Sequence, residues 1–185
     1  GLVDAFVHTC EQYLTYPNSS LLHDGYSQTI LKGLHILAQD WQNRRTILWQ
    51  ENLMLLANQA LNGFIGSGVP QDWATHMIGH ELTAFYGLDH AQSLAVVQPY
   101  LLRVMIEDKK EKLTLMGKEV FNMPQNYEMV IEAIEYMYQS IGVPTKLSAY
   151  KTDDKVIKNV TSSLEKHGMT ALGENGNITL DKVSQ

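Results

Sequence analysis

The sequence predicts an all-α protein. Apolar residues recur at helical spacing along most of the chain, and no apolar–polar alternation is sustained. Glycine and proline stand where the periodic stretches end. A first helix is expected over 2–15, with Leu2, Val3, Phe6, Val7, Cys10 and Leu14 on one apolar side. Pro17 and the pair Ser19–Ser20 punctuate the chain and offer caps for a second helix reaching about residue 40. A third, over 43–62, is apolar on most sides and is expected to be buried. The stretch GFIGSGVP, 63–70, then breaks the chain. A fourth helix is expected over 71–86, ending at Gly87, and a fifth starts near Asp89. Three more follow over 107–121, 125–141 and 153–167, with Pro144 and Gly168 beyond helix ends. Near the end, Thr179 can cap one short last helix.

Both ends read as cut. No capping side chain precedes the first helix, and the last stops after about one and a half turns, too few to form alone. A piece of a longer polypeptide is therefore expected, with its C-terminal helix truncated.

The 185 residues, 44% of them hydrophobic, suffice for one sizeable core. The net charge is −6, and Lys109, Lys110 and Lys112 alternate with Glu107, Asp108 and Glu111, which reads as a solvated helix face. Nucleic acid and anionic membrane surfaces are therefore poor partners. One cysteine, Cys10, excludes an internal disulfide and suits a reducing cytoplasm. No apolar run approaches the roughly 18–20 residues of a membrane span, and the first residues lack the basic start of a secretory signal. A cytoplasmic location is expected.

Chemistry concentrates in GVPQDWATHMIGHELTAFYGLDHAQ, 68–92, which holds His76, His80 and His90. His76 and His80 are four apart and share a helix face, as do Asp4 and His8 on the first helix. With His90 they make five candidate N and O ligands, a set that suits Zn²⁺ or Fe²⁺; buried structural histidines are the alternative. His23, His35 and His167 read as surface or satisfied core residues. His90 meets a geometric condition. Ten helical residues after His76 carry the chain about 15 Å along the axis. Four extended residues recover at most about 13–14 Å. A shared site therefore requires the helix to end by Gly87 and the chain to fold straight back, which glycine permits.

Other motifs fail. HELTA has Ala84 where a zinc protease needs its second histidine. Ser67 has no nucleophile elbow, and GFIGSG is no phosphate loop. Trp73, Phe85 and Tyr86 could wall a pocket or be plain core.

Beyond these patterns, GLVDAFVHTCEQYLT and NQALNGFIGSGVPQDWATHMIGHELTAFYGLDHAQSLAVV, with HGMTALGE at 167–174, resemble the iron-containing (group III) alcohol dehydrogenases. The resemblance is nearest to the NADPH-dependent aldehyde reductase and butanol dehydrogenase branch and runs the length of the chain. It implies a divalent metal, Fe²⁺ or Zn²⁺, held by Asp4, His8, His76 and His90. It implies that His80 is not a ligand but faces the nicotinamide and substrate pocket and relays protons. Asp89-His90-Ala91 departs from the commoner Pro-His-Gly, a departure that branch shares. The implied fold is that of dehydroquinate synthase-like and iron-containing alcohol dehydrogenases. In it, an N-terminal α/β domain binds the dinucleotide and a helical domain holds the metal. Only the helical domain, 1–185, is expected here. NADP(H), an aldehyde or alcohol substrate, the missing domain and a second copy in a homodimer are the implied partners, and the helical domain alone is expected to be inactive. A non-catalytic metal-binding or interaction module on the same fold is the alternative.

Overall fold

The computed structural model describes residues 1–16, 20–123 and 126–185. Its helices are α1 (Leu2–Tyr13), α2 (Leu21–Gln39), α3 (Ile47–Leu61), α4 (Ala74–Tyr86), α5 (His90–Val104), α6 (Ile106–Glu119), α7 (Tyr127–Ser140), α8 (Val156–Lys166) and α9 (Leu180–Val183). The expected all-α architecture is present. Pro17, Ser19 and the start of the 125–141 helix lie outside the described residues. Among the described residues α7 opens at Tyr127, where the Asn126 side chain accepts the main-chain N–H groups of Glu128 and Met129 (3.0 and 3.2 Å). No helix among the described residues is long and apolar enough to cross a membrane.

One feature escaped the periodicity. Strands β1 (Ala171–Leu172) and β2 (Ile178–Thr179) pair antiparallel, with Leu172 opposite Ile178. Two residues per strand are too few for alternation to register. Ile178 is buried, and the hairpin sets α9 going from Thr179.

α1 is the central helix. Its apolar side is buried as expected, but so are Thr9, Glu11 and Gln12 on its polar side. Buried polar groups must find partners. Thr9 Oγ1 donates to the Ala5 carbonyl (2.8 Å), and Gln12 Nε2 donates to the carbonyls of His8 and Ala60 (2.8 Å each). Around α1 lies the larger core, in which Phe6 meets Tyr138 edge-on at 6.0 Å. A second core joins Ala74, Ile78 and Leu82 of α4 to Val96 and Leu101 of α5, Val160 and Leu164 of α8, and Ile178.

The expectation that α3 is buried is overturned. It packs Trp49, Leu53, Leu56, Ala57 and Ala60 against the core, while Ile47, Leu48, Met54, Leu55 and Leu61 are exposed. An all-round apolar pattern shows which faces suit burial, not which faces find a neighbour. The central place is taken by α1, whose polar residues hid it.

The solvated lysine face is overturned as well. Lys109 and Lys112 are buried. Lys109 Nζ donates to Asp72 Oδ2 (2.7 Å) and to both Glu174 oxygens (2.8 Å), and Lys112 Nζ donates to Asp24 Oδ2 (2.5 Å). Only Lys110 behaves as expected, pairing with Glu107 at the surface. α6 turns positions 109, 112, 113 and 116 inward at helical spacing, and the acids that satisfy the two ammonium groups come from far along the chain. Local charge patterning cannot see such partners.

Removing Lys109 leaves Asp72 and Glu174 buried without their cation. Lys109→Ala is expected to lose about 3–5 kcal/mol of stability. Lys110→Ala is expected to leave the urea midpoint unchanged, so unfolding curves of the two variants check the assignment.

Candidate metal centre

The site sits where α1, α4 and the start of α5 meet, and each element is fixed locally. α4 begins after a left-handed residue, Trp73 (φ 62°), an uncommon conformation for a bulky side chain. The turn lets Asp72 Oδ1 accept the N–H of Ala74 (2.8 Å). It also sets the indole edge-on to His8 and His76, each at 5.6 Å. α4 closes at Gly87, whose φ of 65° is the left-handed cap that glycine adopts without penalty. α5 opens three residues later, where the Gln92 side chain accepts the Asp89 N–H (3.0 Å) and places His90 in the first turn. Gly79 lets the two helices approach closely, because a Cβ there would stand 3.1 Å from Ser93 Oγ and a Leu94 methyl. The fold-back that His90 required is therefore present.

It brings the histidines together. His76 and His90 ring centroids are 5.3 Å apart, and His80 stacks on His90 at 5.3 Å with a 23° tilt. Asp4 Oδ1 lies 3.6 Å from His76 Nε2 and 3.3 Å from His90 Nε2. Ligand atoms of Asp4, His76 and His90 all fall within 4.8 Å of one another. His8 is beside them, its ring 4.1 Å from His76. Its Nδ1 is 2.9 Å from both the Asp4 carbonyl and Asp4 Oδ1. A proton on Nδ1, given to that carbonyl, leaves Nε2 as the lone-pair nitrogen of His8. His80 is exposed.

Two atoms carry the chemical meaning. Asp4 Oδ1 and His76 Nε2 are buried, face each other, and have no well-aligned hydrogen-bond partner. Buried polar atoms without partners are rare, and a cation between them would satisfy both. The oxygen and imidazole nitrogens of this set fit a divalent ion such as Zn²⁺ or Fe²⁺.

Electrostatics agree with this arrangement. Burial alone would raise the Asp4 pKa, but His76, His8 and His90 hold it well below the carboxylate range. Burial likewise opposes a charged His76, yet Asp4 and Glu11 lift its pKa to about 9. For His90, burial prevails and the pKa falls. Asp4 and Glu11 thereby favour positive charge at the position of His76.

The chain matches the family model for the C-terminal region of the Fe-containing alcohol dehydrogenases over residues 1–179. It belongs to that family. It is 44% identical to the NADPH-dependent aldehyde reductase YqhD of Escherichia coli (strain K12), with 98% of this chain and 48% of that protein covered. It is 34% identical to NADP-dependent alcohol dehydrogenase 3 of Entamoeba histolytica, with 89% and 44% covered. The crystal structure of Escherichia coli K-12 YqhD superposes with a TM-score of 0.96 at 45% identity, over 100% of this chain and 49% of that one. The NADH-dependent butanol dehydrogenase A of Thermotoga maritima shares the fold, with a TM-score of 0.89 at 23% identity over 100% and 49%. The chain spans about half the length of the curated relatives it matches.

Within this alcohol dehydrogenase domain, sequence reasoning missed Glu11, whose carboxylate bonds His76 Nδ1. Its spacing from Asp4 and His8, seven and three residues along α1, was the available signal. Of the three aromatic residues named as pocket walls, only Trp73 meets the histidines. Tyr86 packs on the second core, its hydroxyl donating to Asp153 (2.9 Å) and accepting from Asn159 (2.9 Å), and Phe85 is exposed.

A pH dependence follows. The His76 pKa is raised from the ordinary 6.5 to about 9 in the folded state, so its stabilising contribution is complete below pH 6.5 and is lost as pH rises to about 9. The metal-free chain is expected to melt lower at pH 9 than at pH 7. Saturating Zn²⁺ is expected to cancel that trend, because the ion displaces the proton. Scanning calorimetry across this range checks both.

Proposed function

We propose that this chain is the metal-binding helical part of an NADP(H)-dependent alcohol dehydrogenase that reduces aldehydes to alcohols. The observation that carries this is the convergence of Asp4, His76 and His90 around two buried ligand atoms that lack a well-aligned hydrogen-bond partner. Membership of the family and the likeness to the aldehyde reductase YqhD and the Entamoeba alcohol dehydrogenase support it.

In this reading Asp4, His8, His76 and His90 hold one Fe²⁺ or Zn²⁺. Such an ion acts as a Lewis acid, stabilising the negative charge that hydride transfer builds on a carbonyl oxygen. The chain's own residues do the rest. Trp73 covers the imidazoles on one side and limits the water that reaches them. His80, exposed and stacked on His90, holds a transferable proton within reach of the mouth of the site and gives it to the product oxygen. The hydride donor, NADPH, is held mainly by an N-terminal dinucleotide-binding domain. The chain spans about half the length of the relatives, which leaves room in the complete enzyme for such a domain. A homodimer and a cytoplasmic location complete the reading.

Elemental mass spectrometry on the purified chain, reloaded with Fe²⁺ or Zn²⁺ and desalted, tests the centre. About one equivalent is expected, and His90→Ala is expected to lose it; an unchanged His90→Ala would remove His90 from the ligand set. For the complete enzyme, His80→Ala is expected to lower kcat by roughly 10²-fold or more while metal content stays at one equivalent. Unchanged aldehyde reduction in that variant would remove the proton-relay role from His80. The chain by itself is expected not to oxidise NADPH, and turnover by it would overturn the division of labour proposed here.

A further inference from the structure

Glu11 is among the most enclosed carboxylates of the protein, 4% exposed, and every polar group it offers is engaged. Its Oε1 accepts the Thr75 N–H (2.5 Å), its Oε2 takes His76 Nδ1, and its main-chain carbonyl accepts the Asp72 N–H (2.8 Å). All three partners lie on the segment that starts α4. One residue of α1 therefore grips three consecutive features of that start. Asp4 and Glu11 are seven residues apart, nearly two full turns, so both carboxylates project from one side of α1 about 10 Å apart along its axis. The His76 imidazole spans the gap, with Nδ1 on Glu11 and Nε2 toward Asp4 Oδ1.

We propose that Glu11 is the positioning residue of the metal centre: it holds His76 in the Nδ1–H tautomer, aims Nε2 at the cation, and fixes the register between the two helices that carry Asp4 and His76. This rests on the metal reading above. An imidazole that binds through one nitrogen commonly gives its other N–H to a carboxylate, which sets ring orientation and raises the basicity of the ligating nitrogen. Glu11 also brings a second negative charge to the centre. With Asp4 it balances both charges of an M²⁺ ion, although only Asp4 stands among the candidate ligands. A purely structural Glu11 would cap α4 and nothing more, and the two roles separate experimentally.

Glutamine in its place keeps the shape but has one acceptor oxygen. It can serve Thr75 or His76, not both, and its amide N–H₂ then faces a donor. The experiment measures the Zn²⁺ dissociation constant of wild type and Glu11→Gln by competition with a chromophoric chelator, beside the circular dichroism of each. It adds ¹⁵N NMR of the histidines in Zn²⁺-loaded wild type. The expected result is 10–100-fold weaker binding in Glu11→Gln at unchanged helicity, with wild-type His76 protonated at Nδ1 and Zn²⁺-bound at Nε2. Equal affinity in a folded variant, or zinc on Nδ1, overturns the proposal. If Glu11→Gln does not fold, the wild-type spectrum decides by itself. If wild type binds no Zn²⁺ at all, the metal reading falls and this inference with it, an outcome distinct from equal binding by both proteins.

Discussion

The site depends on a reversal of the chain within three residues of Tyr86. α4 and α5 carry His76 and His90, fourteen residues apart in sequence, and the rings meet only because the path between them doubles back. Gly87 makes the reversal possible, Asp89 and Gln92 stop it in register, and Gly79 lets the two helices close on each other. A longer connection would carry His90 past its partner. The second core, on the far side of α4, then holds this hairpin of helices against α8 and the β-hairpin, so that the histidine face is left toward α1.

Charge is organised in two layers around that face. Nearest the opening, Asp4 and four imidazoles form a set that is short of positive charge whenever the rings are neutral. Behind it lie Glu11 and, one step further, Asp72, whose carboxylate is answered by the Lys109 ammonium. In the deep layer both carboxylates have their hydrogen-bond donors, whereas the outer one has two ligand atoms without a well-aligned partner. That contrast distinguishes a ligand-binding arrangement from a merely polar interior.

Much of this was legible in the sequence. The helices and the end of α4 at Gly87 followed from periodicity and punctuation, and helix dimensions made the fold-back the condition for His90 to join His76. The residue-by-residue ligand expectation came from resemblance to the family, and Asp4, His76 and His90 do converge. Legibility failed where the partner was remote. α3 looked buried because it is apolar all round, yet it borders the core on one side only. Lys109 and Lys112 looked solvated because their acids lie 37 or more residues away. Glu11 drew no reading at all, because its partners Thr75 and His76 lie 64 and 65 residues away. In each case only tertiary structure supplied the neighbours.

The ion pairs of Lys109 also bear on the order of assembly. That ammonium gathers Asp72, 37 residues upstream, and Glu174, 65 residues downstream. Asp72 is the side chain that starts α4, so the histidine-bearing helix is tied through Lys109 to a segment made 65 residues after that lysine. A nascent polypeptide lacking Glu174 holds Lys109 with a single carboxylate and Asp72 under a looser grip. Closing so long a loop is entropically slow and is rewarded only at the end. The α1–α2 pairing can form before Lys109 is made, whereas a fully rigid α4 must wait for Glu174.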